Sequence, residues 1–140
     1  MEANPNSQSS SITIEELTNK ILQNHLDAEV IVDKYDIDLI YNKEGFKTII
    51  VIENFTLKDK SQLFKEICTQ IPEVDLKKAT GYLLYFELQN LDDYSLIQEI
   101  IFTLEESNSN SDELDLLFGI QKTNSLDKSM SNLTFLVTGF

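Results

Sequence analysis

Short apolar runs alternate along this chain with longer segments of helical periodicity, and few folds accommodate that order. The runs FKTIIVIE (46–53) and YLLYFEL (82–88) are rich in β-branched and aromatic residues and have the length of buried strands. Two further runs, LDLLFGIQ (114–121) and NLTFLVT (132–138), are joined by a polar turn near the end of the chain. The sequence therefore predicts four strands.

Four other segments carry apolar residues on one helical face. They are 13–25, a short stretch that ends at Tyr41 before Gly45, 57–71, and 92–104. Thr13 and Glu16 have the spacing of a capping box, which marks the start of the first helix. Helices of this kind must cover a sheet to bury their apolar faces, so the order predicts an α+β layer domain.

Two polar segments lie outside these elements. Residues 1–11 (MEANPNSQSSS) lack apolar periodicity, which is typical of a disordered leader. DKYDID (33–38) is predicted to be an acidic loop within a helical lead-in that spans 12–44. The four strands then fall within 45–140.

The charge of the chain excludes one large class of partner. Its formal net charge is −13, and all 11 basic residues are Lys. Nucleic-acid binding depends on neutralising phosphates with basic side chains, so we expect no nucleic-acid partner. Acidic surfaces are attracted to basic patches on other proteins, although the acids could also serve only to keep the surface solvated.

Phosphate-binding loops need clustered glycines, because backbone N–H groups must approach the ligand closely. No two of the four glycines lie within 15 positions of one another. We therefore expect no nucleotide-binding loop and no cofactor in these residues.

Nucleophilic and metal chemistry are also poorly supported. The single cysteine, Cys68, and the single histidine, His25, fall on different predicted elements, and neither has a partner nearby in sequence. Cys68 is predicted to pack in the core and His25 to lie at the surface near a helix end. The aromatic residues Tyr82, Tyr85, Phe86, Phe102, Phe118 and Phe135 are likewise predicted to be packed.

The sequence contains neither a signal peptide nor an apolar run near 18 residues. We therefore expect a cytoplasmic protein with no membrane span.

The second half of the chain resembles the C-terminal domain of the FtsZ family of tubulin-like cell-division proteins. LTFLVTGF (133–140) is similar to the last strand of that domain, LDLLFGI (114–120) to the strand before it, and DLKKATGYLLYFE (75–87) to an earlier one. Ser125-Leu126-Asp127 resembles the turn between the last two strands. All four glycines also fall where the family places glycine. The resemblance implies a mixed four-stranded sheet covered by two to three helices, with the FtsZ-like domain at 45–140.

The resemblance also suggests two site residues. In the family, a loop with the pattern Asn-x-Asp-x-x-Asp completes the GTPase site of the neighbouring subunit in a filament. Ile31 to Asp36 occupies the comparable place, with Asp33 and Asp36 at the two Asp positions and Ile31 in place of the Asn. By this resemblance, Asp33 and Asp36 are candidate catalytic residues that act in trans.

Other features depart from the family. The glycines that follow its first two strands are replaced by Ile52-Glu53-Asn54 and Leu88-Gln89-Asn90, and the family's GTP-binding domain has no counterpart in the chain.

Three functions follow from this pattern. The first is a protein-binding module without GTPase activity of its own, which docks on FtsZ-type filaments or another division protein and caps or regulates them. In such filaments the C-terminal domain covers the GTP of the subunit beneath. The second is one half of a split FtsZ-like GTPase. The third is a small α+β enzyme or ligand-binding domain that has reused the fold, since fold does not fix function.

Overall fold

The computed structural model describes residues 8–23, 28–89, 94–123 and 130–140. Within these ranges the chain forms six strands and five helices. In chain order they are β1 (Gln8–Ser11), α1 (Ile14–Gln23), β2 (Ala28–Val30), α2 (Lys34–Tyr41), β3 (Lys47–Phe55), α3 (Lys60–Gln70), α4 (Glu73–Lys78), β4 (Gly81–Leu88), α5 (Tyr94–Ser107), β5 (Asp115–Lys122) and β6 (Ser131–Thr138).

The strands form one sheet in the order β1-β3-β6-β4-β5-β2. β4 and β5 are parallel, and the other neighbours are antiparallel. The four central strands are those predicted from the apolar runs, so the mixed sheet of an α+β domain is confirmed. The prediction missed the short edge strands β1 and β2, whose sequences QSSS and AEV contain no apolar run.

Each face of the sheet builds its own core, because successive side chains of a strand point to opposite faces. Tyr82, Leu84 and Phe86 of β4 pack with α3, α4 and α5. Leu83 and Tyr85 pack on the other face with α1 and α2. The predicted cover of two to three helices is therefore too small. Helices are needed on both faces because the central strands are apolar on both sides.

Helix α4 was not predicted, since its six residues are too few to show a helical repeat. Pro72 forms its N-cap, and the Pro72 carbonyl accepts the N–H groups of Asp75 and Leu76 at 3.0 Å each. Leu76 is the buried residue of this helix and joins the core under α3 and α5.

The segment before α1 differs from the disordered leader predicted for residues 1–11. Residues 8–11 form β1, which runs antiparallel to β3, whereas residues 1–7 lie outside the described ranges. A strand at a sheet edge is held by main-chain groups, so a serine-rich sequence can supply it. Because its composition is polar, this pairing was not predicted from the sequence.

Helix α1 begins with the predicted capping box. The Glu16 N–H donates to Thr13 Oγ1 at 3.2 Å, and the Thr13 N–H donates to Glu16 Oε1 at 3.3 Å. Leu17 and Ile21 then bury this helix against the sheet. The lead-in at 12–44 and the residues after it consequently share a core.

Two left-handed glycines bring Phe46 beside Phe140. Gly45 has a φ of 107° and Gly139 a φ of 75°. The Phe46 N–H donates to the Phe140 carbonyl at 3.1 Å, and the Gly139 N–H donates to the Phe46 carbonyl at 2.8 Å. A Cβ atom on Gly139 would also collide with the Thr80 side chain. The backbone therefore requires glycine at these two positions.

Candidate functional site: an interaction surface on helix α2

Asp33 and Asp36, the two candidate catalytic residues, lie together at the start of α2. Asp33 is the N-cap, and its Oδ1 atom accepts the Asp36 N–H at 3.0 Å. Asp36 Oδ2 in turn accepts the Asp33 N–H at 3.2 Å. This reciprocal pair is a capping box made of two aspartates. Because it starts a helix at Lys34, the acidic loop predicted for 33–38 is wrong.

Both carboxylates can be reached from solvent. Asp33 is exposed and Asp36 is half-buried. Each cap bond uses one oxygen, and no residue in the described ranges bonds to Asp33 Oδ2 or Asp36 Oδ1. The capping box thus holds two carboxylates side by side, each with an oxygen available to another molecule.

Three exposed apolar side chains lie on α2 or just before it. Ile31 is 56% exposed, Tyr35 74% and Leu39 44%. Tyr35 and Leu39 are four apart and lie on one face of α2, Ile31 lies just before the N-cap Asp33, and Ile37 and Ile40 are buried against the sheet. Ile31, Tyr35 and Leu39 are called the α2 row below. Exposed apolar side chains that share a helix face mark a candidate site for another protein.

The charges beside the α2 row are predominantly negative. Lys34 Nζ lies 2.9 Å from Asp38 Oδ2, and Lys43 forms an ion pair with Asp115. Within the described ranges, neither capping aspartate takes part in an ion pair. A partner with apolar anchors flanked by basic side chains would complement this surface.

The α2 row was not predicted from the sequence, although its spacing gave a signal. Tyr35 and Leu39 have the spacing of one helical face, and Ile37 and Ile40 have that of another. Two apolar faces on an eight-residue helix indicate that one of them needs a partner outside the domain. Predicting a loop at 33–38 hid this periodicity.

Cys68 is exposed on α3, so its predicted place in the core is wrong. Leu63 and Ile67 bury this helix, and Cys68 falls at the edge of the buried face. The pKa of its thiol is raised, first by partial desolvation and then by the negative charge of Glu73, while Lys77 acts in the opposite direction. A raised pKa leaves less thiolate at neutral pH, which is unfavourable for a nucleophile.

The aromatic residues that were predicted to be packed differ in their exposure. Tyr82, Tyr85, Phe86 and Phe135 are buried and Phe118 is half-buried, but Phe102 is 59% exposed on the outer face of α5. The prediction that Phe102 is packed is therefore wrong, because Ile100, Ile101 and Leu104 fill the inner face. His25 and the turn at Ser125-Leu126-Asp127 lie outside the described residues.

Two further observations concern the part of the chain that the structure describes. It contains no group of three or more His, Cys, Asp or Glu side chains that could hold a metal ion. None of its helices combines the length and apolar character needed to cross a membrane.

This α+β arrangement is an FtsZ-like fold. The solved W319Y mutant of FtsZ from M. jannaschii superimposes with a TM-score of 0.65 and 20% sequence identity, covering 89% of this chain and 38% of the FtsZ chain. An empty FtsZ dimer from M. jannaschii superimposes with a TM-score of 0.61 and 16% sequence identity, again covering 89% of this chain and 38% of the FtsZ chain. TubZ of Bacillus thuringiensis serovar israelensis, in GDP-form protofilaments, superimposes with a TM-score of 0.57 and 21% sequence identity. The match covers 79% of this chain and 29% of the TubZ chain.

The predicted resemblance to FtsZ is confirmed for the fold, and the chain spans 38% of the length of these FtsZ chains. No protein-family model and no curated protein matches the sequence.

Proposed function

We propose that this chain is a protein-binding module that docks on an FtsZ-type subunit through the face of α2. The α2 row supports this most directly, because Tyr35 and its neighbours expose apolar surface beside the capping box. Asp33 and Asp36 match the two acids that the FtsZ family places at a subunit contact. The contact would bury Ile31, Tyr35 and Leu39 against the nucleotide-bearing side of the partner.

Docking of this kind would cap a filament. These 140 residues contain no glycine-rich phosphate loop, so when docked by themselves they would offer no nucleotide face to the next subunit. One docked copy would then stop growth at that end, which makes regulation of FtsZ-type filaments in cell division the proposed role. The chain would have no GTPase activity of its own and would act in the cytoplasm, where such filaments assemble.

The test adds the purified chain to FtsZ that is assembling with GTP. We expect light scattering and GTP turnover to fall as the concentration of the chain rises. The double variant Y35A/L39A should need at least about tenfold more protein for the same effect, because each truncation at a buried contact costs on the order of 1–2 kcal/mol.

The matched control is Phe102→Ala. Phe102 is also an exposed apolar residue but lies on α5, across the sheet from α2, so this variant should inhibit like the wild type. Unchanged assembly over a wide range of wild-type concentrations would refute the proposal. Equal losses in the α2 and α5 variants would refute the assignment to α2.

A second candidate function is catalysis in trans as one half of a split FtsZ-like GTPase. The observation that favours it is the pair of surface carboxylates at Asp33 and Asp36, each with one oxygen outside the cap. In this role they would position the water that attacks GTP bound to a separate nucleotide domain.

Asparagine variants separate this catalytic role from the role of the two aspartates in capping helix α2. Asn caps a helix about as well as Asp, so Asp33→Asn and Asp36→Asn remove charge while retaining the capping bonds. GTP turnover by the reconstituted pair should fall strongly in both variants. Normal turnover would remove these residues from the mechanism, whether or not the chain inhibits FtsZ assembly.

A further inference from the structure

The main chain of β5 has one set of groups that faces away from the sheet. The Asp115 N–H donates to the Thr80 carbonyl at 3.0 Å, and the Thr123 N–H donates to the Leu88 carbonyl at 2.9 Å. Successive residues of a strand point their main-chain groups in opposite directions. The odd-numbered residues of β5 therefore bond to β4, and Leu116 and Phe118 point theirs toward the outer edge.

Strand β2 covers only the far end of this edge. It pairs Ala28 with Gln121 and Val30 with Ile120, and the chain then leaves the sheet to enter α2. Within residues 8–23, 28–89, 94–123 and 130–140, no main-chain bond reaches the outward groups of Leu116 or Phe118. The N–H and C=O groups of these two residues form an open strand edge, called the β5 edge below.

Apolar side chains flank the β5 edge on both faces of the sheet. On one face, the Phe118 ring lies 6.5 Å from that of Tyr94, whose side chain is 40% exposed. On the other face, half-buried Leu117 lies beneath α2, which packs against β5. A strand added here would find apolar surface above and below it.

The charge around the β5 edge determines which kind of segment could bind there as an added strand. Asp112 and Glu113 are exposed immediately before β5 and take part in none of the ion pairs of the described residues. Lys43, which lies nearby, is already paired with Asp115. A second copy of this chain would bring a further formal charge of −13 to an edge that is already acidic. A segment that carries lysine or arginine would instead be attracted.

We propose that the β5 edge binds an extended segment of a partner protein in which apolar residues alternate with lysine or arginine. The segment adds to the sheet as a strand beside Leu116 and Phe118, and its main chain takes up their free donors and acceptors. Its apolar side chains cover the Tyr94–Phe118 pair. This proposal does not depend on docking through the α2 row.

The probe is a blocked heptapeptide of alternating lysine and valine. Added to the full chain, it should slow hydrogen exchange of the Leu116 and Phe118 amides and leave the other β5 amides unchanged. A heptapeptide with glutamate in place of lysine should bind at least tenfold more weakly. A lysine–valine peptide that is N-methylated at every residue should give no protection, since it has no main-chain N–H left along either of its edges.

Two variants at one position isolate the main-chain contribution. Leu116→Ala shortens the side chain and keeps the outward N–H, whereas Leu116→Pro also removes that N–H without breaking a bond to β4. The proline variant should bind the peptide about tenfold more weakly than the alanine variant. If it fails to fold, the N-methylated peptide still provides the test on the wild-type protein.

Two results would overturn the proposal. One is the absence of amide protection at Leu116 and Phe118 at millimolar lysine–valine peptide, or equal protection by the N-methylated peptide. The other is a concentration-dependent dimer in sedimentation that Leu116→Pro abolishes, which would assign the edge to a second copy of the chain. Neither result bears on inhibition of FtsZ assembly, which is tested separately through Tyr35 and Leu39.

Discussion

Asp33 and Asp36 each accept a hydrogen bond from the main-chain N–H of the other, at 3.0 and 3.2 Å. The acids that resemble a catalytic pair therefore also begin the helix that carries the α2 row. Changes at these positions can affect stability as well as function.

The first prediction separates those effects. Asp33→Ala removes the N-cap acceptor and should lower the free energy of unfolding by about 1 kcal/mol, whereas Asp33→Asn should change it little. Urea unfolding followed by circular dichroism measures both variants. Equal stability of the Ala and Asn variants would contradict a capping role.

The second prediction concerns the buried hydroxyl of Tyr82. It donates to the Leu76 carbonyl at 2.6 Å and accepts from Asn108 Nδ2 at 3.0 Å. Tyr82→Phe leaves both partners without this bond and should cost about 1–2 kcal/mol at pH 7.

The same variant tests the pH dependence of stability. The pKa of Tyr82 is raised chiefly by desolvation, which the hydrogen bond from Asn108 partly offsets. A group whose pKa is higher in the folded state stabilises fully below its unfolded pKa, about 10 for tyrosine, and loses that contribution as the pH rises further. The stability difference between wild type and Tyr82→Phe should therefore narrow above about pH 10. A difference that stays constant from pH 7 to pH 11 in urea unfolding would contradict this assignment.

The third prediction concerns Gly139. Its φ of 75° disfavours any side chain by about 1–2 kcal/mol, and a Cβ there would also meet the Thr80 side chain. Gly139→Ala should therefore lower the unfolding free energy by at least about 2 kcal/mol. In the background of Thr80→Ala the loss should be smaller but still present, because the collision is relieved and the backbone strain remains. A thermal-unfolding double-mutant cycle measures the two parts.

The fourth prediction concerns Cys68. Because its side chain is exposed, an aromatic disulfide reagent should modify the folded protein, and because its pKa is raised, the reaction at pH 7 should be slower than for an ordinary exposed thiol. Glu73→Gln should accelerate the reaction and Lys77→Met should slow it, each by about two- to threefold. Modification of Cys68 that occurs only in denaturant would contradict its exposed position.

The central strands could be predicted because each is a self-contained apolar run. FKTIIVIE and YLLYFEL, for example, match β3 and β4 within about two residues. The capping box at Thr13 was also readable, because it depends on two side chains at a fixed spacing.

The features that sequence could not supply depend on tertiary contacts. Main-chain pairing at a sheet edge requires no particular amino-acid composition, so β1 was mistaken for part of a leader. Asp33 and Asp36 were identified as acids, but only their mutual hydrogen bonds reveal that the segment is helical. The exposure of Cys68 and Phe102 likewise depends on where α3 and α5 meet the sheet, which one helix's periodicity does not fix.

The position of β6 has a consequence for synthesis on the ribosome. This strand comes after all the others along the chain, yet it lies between β3 and β4 and pairs with both. Until residue 138 has left the exit tunnel, β3 and β4 lack the neighbour that joins them. Nascent chains should therefore expose apolar strands until late in translation, which makes this protein a candidate client of ribosome-associated chaperones.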